Sequence, residues 1–300
     1  MSKAALSLGP LLFHWTAETR RDFYFRIADE ADVATVHLGE VVCSKRAPFF
    51  DPHLPEVAER LSRSGKEVVF STLALVTGER EMAMVRGLAE MGHMVEANDV
   101  AAIQVLAGRP HAIGPFINLF NEDTLRTFAR LGAVRAATHP ELPADTIAKL
   151  AKARGALEIE VTVFGRLALS VSARCYHARA HGLAKDSCQY VCGNDADGKP
   201  VETLDHQPIL AVNGTQTMSH GYVNLLGELA ALRAMGVTRF RLSPQALDMV
   251  AVAALYREAL DGRIGADDAQ AKLRSLAGPV PFIDGYYQGR EGLAWSEAAE

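Results

Sequence analysis

Eight short apolar stretches, rich in β-branched residues, alternate with amphipathic stretches along the chain. We predict strands at 5–9, 33–39, 67–74, 94–98, 111–118, 133–138, 157–164 and 237–243. Such an alternation is typical of successive βα units around a parallel sheet. Eight of them predict an α/β fold of the TIM type, a (β/α)8-like barrel. A doubly wound open sheet is the alternative, but no G-x-G-x-x-G motif follows the first strand.

The strands are regularly spaced up to the seventh, and residues 165–236 then separate it from the eighth. This segment contains two dipeptides typical of hairpin turns, Asp197-Gly198 and Asn213-Gly214. We therefore predict a β-hairpin-rich insertion between strands seven and eight. The predicted organisation is one barrel-like domain over 1–276 and a tail, 277–300, that packs on the barrel or on a partner.

Composition excludes several classes of protein. With 49% hydrophobic residues in 300, the chain is predicted to be ordered, and its net charge of −5 does not favour nucleic-acid binding. We find no apolar run long enough to span a membrane and no secretory core near the start. A cytoplasmic protein is therefore expected, in which thiols stay reduced and clustered cysteines indicate a metal or catalysis.

Three of the four cysteines, Cys175, Cys188 and Cys192, lie in the insertion, whereas Cys43 follows the second strand. In a barrel, loops after the strand ends meet on one face, so all four can converge there. Their spacing, C-x131-C-x12-C-x3-C, lacks the paired short spacings typical of structural zinc sites. The pattern favours an iron-sulfur cluster, with zinc and unligated thiols as the alternatives.

Two histidines, His177 and His181, are one helical turn apart and could bind a metal ion together. There is no glutamate in the H-E-x-x-H position, so we expect a solvated or capping role for them.

Two carboxylates, Glu158 and Glu160, alternate with apolar residues on the seventh strand and share one of its faces. Inside a barrel, Glu160 is a candidate acid-base group. A structural ion pair with Arg241 across the barrel is the favoured alternative.

Five segments, taken together, resemble the collagenase-like peptidase family: LGEVVCSKR, STLALV, SARC followed by C-x3-C, NGTQTMS and RLSPQ. The likeness runs in order along nearly the whole chain, from LGP near the start to DGYY near the end. It is closest to members that act in oxygen-independent ubiquinone biosynthesis.

That resemblance implies a [4Fe-4S] cluster held by Cys43, Cys175, Cys188 and Cys192. It also implies a heterodimer with UbiU, help from the lipid carrier UbiT, a quinone-precursor substrate and prephenate as the hydroxyl donor. An anionic donor would need guanidinium or ammonium groups, since these bind carboxylates. The candidates for this role are Lys45, Arg46, Arg174 and Arg241, and for each of them a surface salt bridge or a hydrogen bond to a cluster sulfur is the alternative. Among the candidate site residues, we predict catalytic roles for Glu160, Arg174 and Arg241.

Proteolysis finds little support in the residues. The sequence has no G-x-S-x-G elbow and no H-E-x-x-H pair, and a thiol bound to iron is a poor nucleophile. A non-catalytic scaffold, stabilised by a cluster or by zinc, is the stronger alternative to a hydroxylase subunit.

Overall fold

Seven parallel strands follow one another in chain order around a barrel in the computed structural model, which describes residues 4–296. They are β1 (Ala5–Leu8), β2 (Thr35–Leu38), β3 (Glu67–Ser71), β4 (Met94–Ala97), β5 (His111–Ile113), β6 (Ala133–Ala137) and β7 (Glu158–Gly165). Each pairs with the next in parallel register, for example Leu38 with Phe70. All seven correspond to predicted strands.

Between β7 and the last barrel strand lies the insertion, which builds a small antiparallel sheet of its own. Its order is β8 (Ala168–Val171), β11 (Gln216–Ser219), β10 (Pro208–Asn213) and β9 (Lys199–Glu202), with a short helix, α8 (Tyr176–Ala180), before β9. A further strand, β12 (Tyr222–Asn224), pairs antiparallel with the end of β7.

The barrel closes through β13 (Arg239–Leu242), which pairs in parallel with both β1 and β7. Phe240, for instance, lies opposite Leu6 on one side and Val161 on the other. Eight parallel strands thus form a closed barrel with a hairpin-containing insertion before the last of them. The predicted fold class is confirmed.

Helices cover the outside of the barrel. In chain order they are α1 (Ala17–Glu30), α2 (Ala47–Phe50), α3 (Leu54–Arg63), α4 (Glu79–Glu90), α5 (Val100–Leu106), α6 (Glu122–Arg130) and α7 (Ala144–Ala153), then, after α8, α9 (Leu229–Met235), α10 (Met249–Leu260) and α11 (Ala266–Ala277). Side-chain oxygens of Thr16, Asn121 and Asp248 accept backbone N–H groups at the starts of α1, α6 and α10. The main apolar core lies between these helices and the strands.

Two local predictions were wrong in detail. Strand β5 ends at Ile113 rather than 118, because a side chain at Gly114 would collide with Asn98 and Pro115 cannot donate to the sheet. Asp197-Gly198 precedes β9 and joins no two strands, since the residues before it form a 3-10 helix. The second hairpin exists, but Asn213 is the last paired residue of β10.

The barrel interior is charged, where most barrels of this type are filled by branched apolar side chains. Near the amino ends of the strands, Arg135 and Arg239 pair with Glu67 and Glu158. One layer further up, Arg241 of β13 reaches across to Glu96 of β4 and to Glu160 of β7. The pair between Arg241 and Glu96 spans the barrel, whereas the pair between Arg241 and Glu160 joins the neighbouring strands β13 and β7.

After α11 the chain adds β14 (Phe282–Ile283), which pairs with β12. Trp295 then packs on Phe282, with 5.7 Å between the ring centroids. The predicted tail, 277–300, therefore contacts the insertion and the barrel as far as Ser296, and its last four residues lie outside the described part. No helix within residues 4–296 combines the length and apolar character needed to cross a membrane.

Candidate functional site

All four cysteines line one cavity at the carboxyl-end mouth of the barrel. The rest of its wall includes Lys45, Arg46, His177, Lys185, Tyr190 and Gly214. Cys43 comes from the loop after β2, and the other three come from the insertion. The structure therefore brings together thiols that are far apart in the sequence, as barrel geometry predicts.

The loop that carries Cys43 is shaped by one buried carboxylate. The backbone N–H groups of Val42 and Cys43 donate to Glu40 Oε1 at 3.0 and 3.1 Å. Glu40 in turn faces Arg20 at 3.5 Å. Just before it, Gly39 has a φ of +114°, and any side chain there would meet the Ser71 carbonyl. These constraints fix the backbone position of Cys43.

The other three cysteines are held by the short elements of the insertion. Cys175 caps α8, its sulfur accepting from the Ala178 N–H at 3.4 Å and donating to the Gly214 carbonyl at 3.2 Å. Cys192 is buried in a 3-10 helix, and Cys188 is half-buried in the loop before it. That loop contains two consecutive left-handed residues, Gln189 and Tyr190, with φ of 50° and 54°. Such strain clusters at functional sites.

A single asparagine, Asn213, joins the walls of the cavity. Its side-chain nitrogen donates to the carbonyls of Cys192 and Asp195, at 2.9 and 2.8 Å. Its oxygen accepts from Arg46 at 2.7 Å. The sequence predicts Asn213 only as a turn residue, and the signal that points to its further role is its place in the insertion that carries three of the cysteines.

Among the described residues that line this cavity, Arg46 alone carries a guanidinium group, and it is 2% exposed. It donates to the Leu12 carbonyl and to Asn213, while its Nε has no hydrogen-bond partner among the described residues. Within residues 4–296 it forms no ion pair with a carboxylate. Burial lowers the pKa of Arg46, but the charges of the nearby Glu40 and of the cysteines outweigh it and raise that pKa. Arg46 therefore stays positively charged next to the sulfurs, and a negatively charged occupant of the cavity would be stabilised further.

Burial favours the neutral form of three of these thiols. Burial raises the pKa of Cys43, Cys175 and Cys192, and the neighbouring Cys43 and Cys188 thiols raise that of Cys175 further. Arg46 acts in the opposite sense on Cys192, through its charge and a hydrogen bond, but burial dominates. Binding a metal here would therefore displace protons from the thiols.

We expect a Gly214→Ala substitution to disturb this cavity. Gly214 has a φ of +70°, and an added Cβ would lie 2.2 Å from Arg46 Nη2. Urea unfolding should show a loss of about 1–3 kcal/mol, from backbone strain and from the displaced arginine. Gly182→Ala is the matched control, because its φ is +69° but nothing lies within 4 Å of its Cβ position. An equal loss in both variants would mean that Arg46 contributes nothing.

The predicted catalytic residues do not gather at the cysteines. Arg241 donates to Glu160 at 2.6 Å inside the barrel, so the favoured structural ion pair is present. Arg174 is exposed next to Cys175. Lys45 donates to the carbonyls of Lys185 and Asp186 at 2.8 and 3.0 Å, and it ties the Cys43 loop to the insertion.

A second, small cavity lies directly over the barrel axis. Its wall is mainly apolar, with Arg166 and Arg241 as its charged members, and consists of Gly9, Pro10, Leu12, Pro115, Phe116, Pro140, Thr162, Arg166, Leu167, Ala168, Arg241 and Ser243. A small apolar cluster of Leu12, Val41 and Val42 contacts both Cys43 and Phe116. The two cavities are therefore neighbours, separated by a few side chains.

Comparison with known proteins finds a family match over nearly the whole chain. Residues 16–297 match the family described as Peptidase family U32. Among solved structures, the U32 peptidase Mk0906 aligns with a TM-score of 0.46 at 10% identity, covering 82% of this chain and 94% of that one. The tryptophan synthase complex of Pyrococcus furiosus aligns with a TM-score of 0.40 at 12% identity, covering 91% of this chain and 98% of that one.

Proposed function

Since this chain belongs to peptidase family U32, we propose that it is a [4Fe-4S] subunit of the UbiV type. In this proposal it pairs with UbiU and serves oxygen-independent hydroxylation in anaerobic ubiquinone biosynthesis. The resemblance in sequence supports the pathway, and the arrangement of the cysteines supports the cluster.

The observation that carries the proposal is the meeting of four thiols from separate parts of the chain in one cavity. A cubane takes one cysteine per iron, so Cys43, Cys175, Cys188 and Cys192 would fill its four ligand positions. When bound, such a cluster supplies one-electron transfer or a Lewis-acidic iron. A peptidase would need a free nucleophile next to a base, and no H-E-x-x-H or G-x-S-x-G motif supplies one.

The charge of the cavity supports the same occupant. Four thiolates around a cubane carry net negative charge, and the buried Arg46 lacks a carboxylate partner within residues 4–296. A positive group next to the sulfurs would stabilise the ligated thiolates. The residues present therefore fit the cluster.

The quinone precursor would approach at the barrel mouth, next to the small cavity over the barrel axis. The apolar wall of that cavity, with Leu12 and Phe116, suits a ring compound. Arg166 and Arg241 are its charged members, and an anionic donor such as prephenate would share them with the carboxylates that they already pair with. UbiT would deliver the lipid-bearing precursor, and UbiU would complete the enzyme.

A specific observation favours the scaffold as the second candidate. Glu160 and Arg241, both predicted to be catalytic, are paired with each other, and Arg241 is also paired with Glu96. Groups so engaged are poor acids or bases. In that alternative the cluster only holds the insertion in place for a partner interface, and the chemistry takes place on the other subunit.

Anaerobic purification with and without UbiU tests the proposal. We expect a brown protein that absorbs near 400 nm and carries about four irons per chain. Cells that lack the native gene should regain ubiquinone under anaerobic growth with the wild-type chain, and not with Cys43→Ser. Colourless, zinc-loaded protein would reject the cluster. Normal ubiquinone in the Cys43→Ser strain would reject a role for it.

Catalyst and scaffold are separated by Arg174→Ala. This exposed residue makes no ion pair among the described residues, so its loss should leave folding and iron content unchanged. A fall in ubiquinone at normal iron content would favour a catalytic subunit, whereas unchanged ubiquinone favours the scaffold.

A further inference from the structure

A second group of potential metal ligands lies beside the cysteine cavity: His177, His181 and Asp195. One ligand atom from each of the three lies within 4.8 Å of the others. The expected solvated or capping role holds only for His181, which is exposed at the C-cap of α8. His177 is 0% exposed, and a buried histidine requires partners for both ring nitrogens.

The ring of His177 has one satisfied nitrogen and one that is not. Nδ1 lies 3.2 Å from the Val212 carbonyl, and it must carry the proton because a carbonyl can only accept. In the neutral ring, Nε2 is then left with a lone pair. It lies 3.0 Å from Asp195 Oδ2, yet it makes no hydrogen bond among the described residues.

The direction of that contact distinguishes a shared metal from a hydrogen bond. A hydrogen bond would place the carboxylate oxygen on the N–H axis, and here the alignment fails at a distance that is otherwise ideal. Two ligands of one metal, each about 2.1 Å from it, lie roughly 3.0–3.4 Å apart and off that axis. The observed separation fits this arrangement.

The third ligand and the surrounding charges are compatible with a cation. The rings of His177 and His181 are nearly parallel, at 12°, with centroids 5.4 Å apart. His181 is exposed, so a metal can reach the site from solvent. Within residues 4–296 Asp195 pairs with no lysine or arginine. The buried trio of His37, Glu96 and Glu160 differs, because Arg241 already supplies its positive charge.

We propose that His177, His181 and Asp195 bind a divalent transition-metal ion, with Zn²⁺ as the representative. Two imidazoles and one carboxylate suit zinc or ferrous iron, whereas calcium and magnesium prefer oxygen ligands alone. The ion would join α8, which follows Cys175, to the segment that follows Cys192. It would therefore stabilise two of the loops that surround the cysteine cavity.

Zinc titration of the chelator-treated, full-length protein under anaerobic conditions tests the site, with zinc and iron measured in each sample. We expect one zinc per chain beyond any metal at the cysteines. His181→Ala and Asp195→Asn should each weaken this binding at least about tenfold, with iron content unchanged. His206→Ala is the matched control, since that histidine is on the insertion and 88% exposed.

Three outcomes would overturn the proposal: no stoichiometric zinc uptake by the wild type, uptake unaffected by His181→Ala and Asp195→Asn, or loss of all zinc in Cys43→Ser. The last would place zinc at the cysteines. If the cysteines bind no iron-sulfur cluster, this test still applies. The zinc bound by the histidines is then measured in addition to any metal bound by the cysteines.

Discussion

Serine in place of Cys43 is expected to abolish nearly all of the absorbance near 400 nm and to reduce iron from about four atoms per chain to less than about one. Cys43 is the only ligand candidate outside the insertion, so its loss disconnects the cluster from the barrel. A serine oxygen is a harder and weaker ligand for iron than a thiolate. Iron and sulfide analysis after anaerobic purification provides the measurement.

The control for this substitution is Ser187→Ala, which changes an exposed residue next to Cys188 without removing a thiol. It should retain iron at the wild-type level. Circular dichroism distinguishes a lost cluster from a lost fold, because the main core does not contain Cys43. Full iron loading of Cys43→Ser would show that the cavity is not a four-cysteine site.

The barrel was predictable because its signal is repeated eight times. Each strand is a short apolar run, and most are followed by a helix, such as α3 after β2 and α4 after β3. The ends of strands are harder to predict from the sequence where tertiary contacts determine them. At β5 the close approach of Gly114 to Asn98 ends the pairing, and no local pattern records that contact.

The convergence of the cysteines was also predictable, because loops after the strand ends share one face of a barrel. The groups around them were harder to predict. Asn213 is an ordinary turn residue by sequence, and its four contacts exist only because the insertion folds back over the Cys43 loop. The partner of His177, Asp195, lies 18 positions along the chain, and no helical spacing indicates it.

The charged interior shows the limit of reasoning from one strand. The pattern of β7 indicates that Glu158 and Glu160 share a face, but it cannot tell whether a cation lies opposite. In the structure Arg241 forms an ion pair with Glu160, while Glu158 pairs with Arg135 and Arg239. The interpretation of Glu160 as a free acid-base group is thereby weakened.

Arg241→Met is expected to destabilise the fold by about 3–5 kcal/mol, because it leaves Glu96 and Glu160 buried without their cation. Urea unfolding near neutral pH provides the measurement. Arg26→Met is the matched control, since Arg26 also pairs with two carboxylates but is 53% exposed, and its loss should change stability by less than about 1 kcal/mol.

The pH dependence identifies the cause of that loss. Burial raises the pKa of Glu96 and Glu160, but Arg241 outweighs it and holds both below the ordinary value of 4.5. The wild type therefore loses this stabilisation as the pH falls below 4.5. In Arg241→Met the pKa of both carboxyls should instead rise, so the variant gains stability relative to the wild type as they protonate.

The stability difference between the wild type and Arg241→Met, the deficit, should therefore shrink at low pH. It should also shrink at pH 7 when Glu96→Gln and Glu160→Gln are added. A deficit that stays constant under both changes would assign it to lost packing rather than to charge.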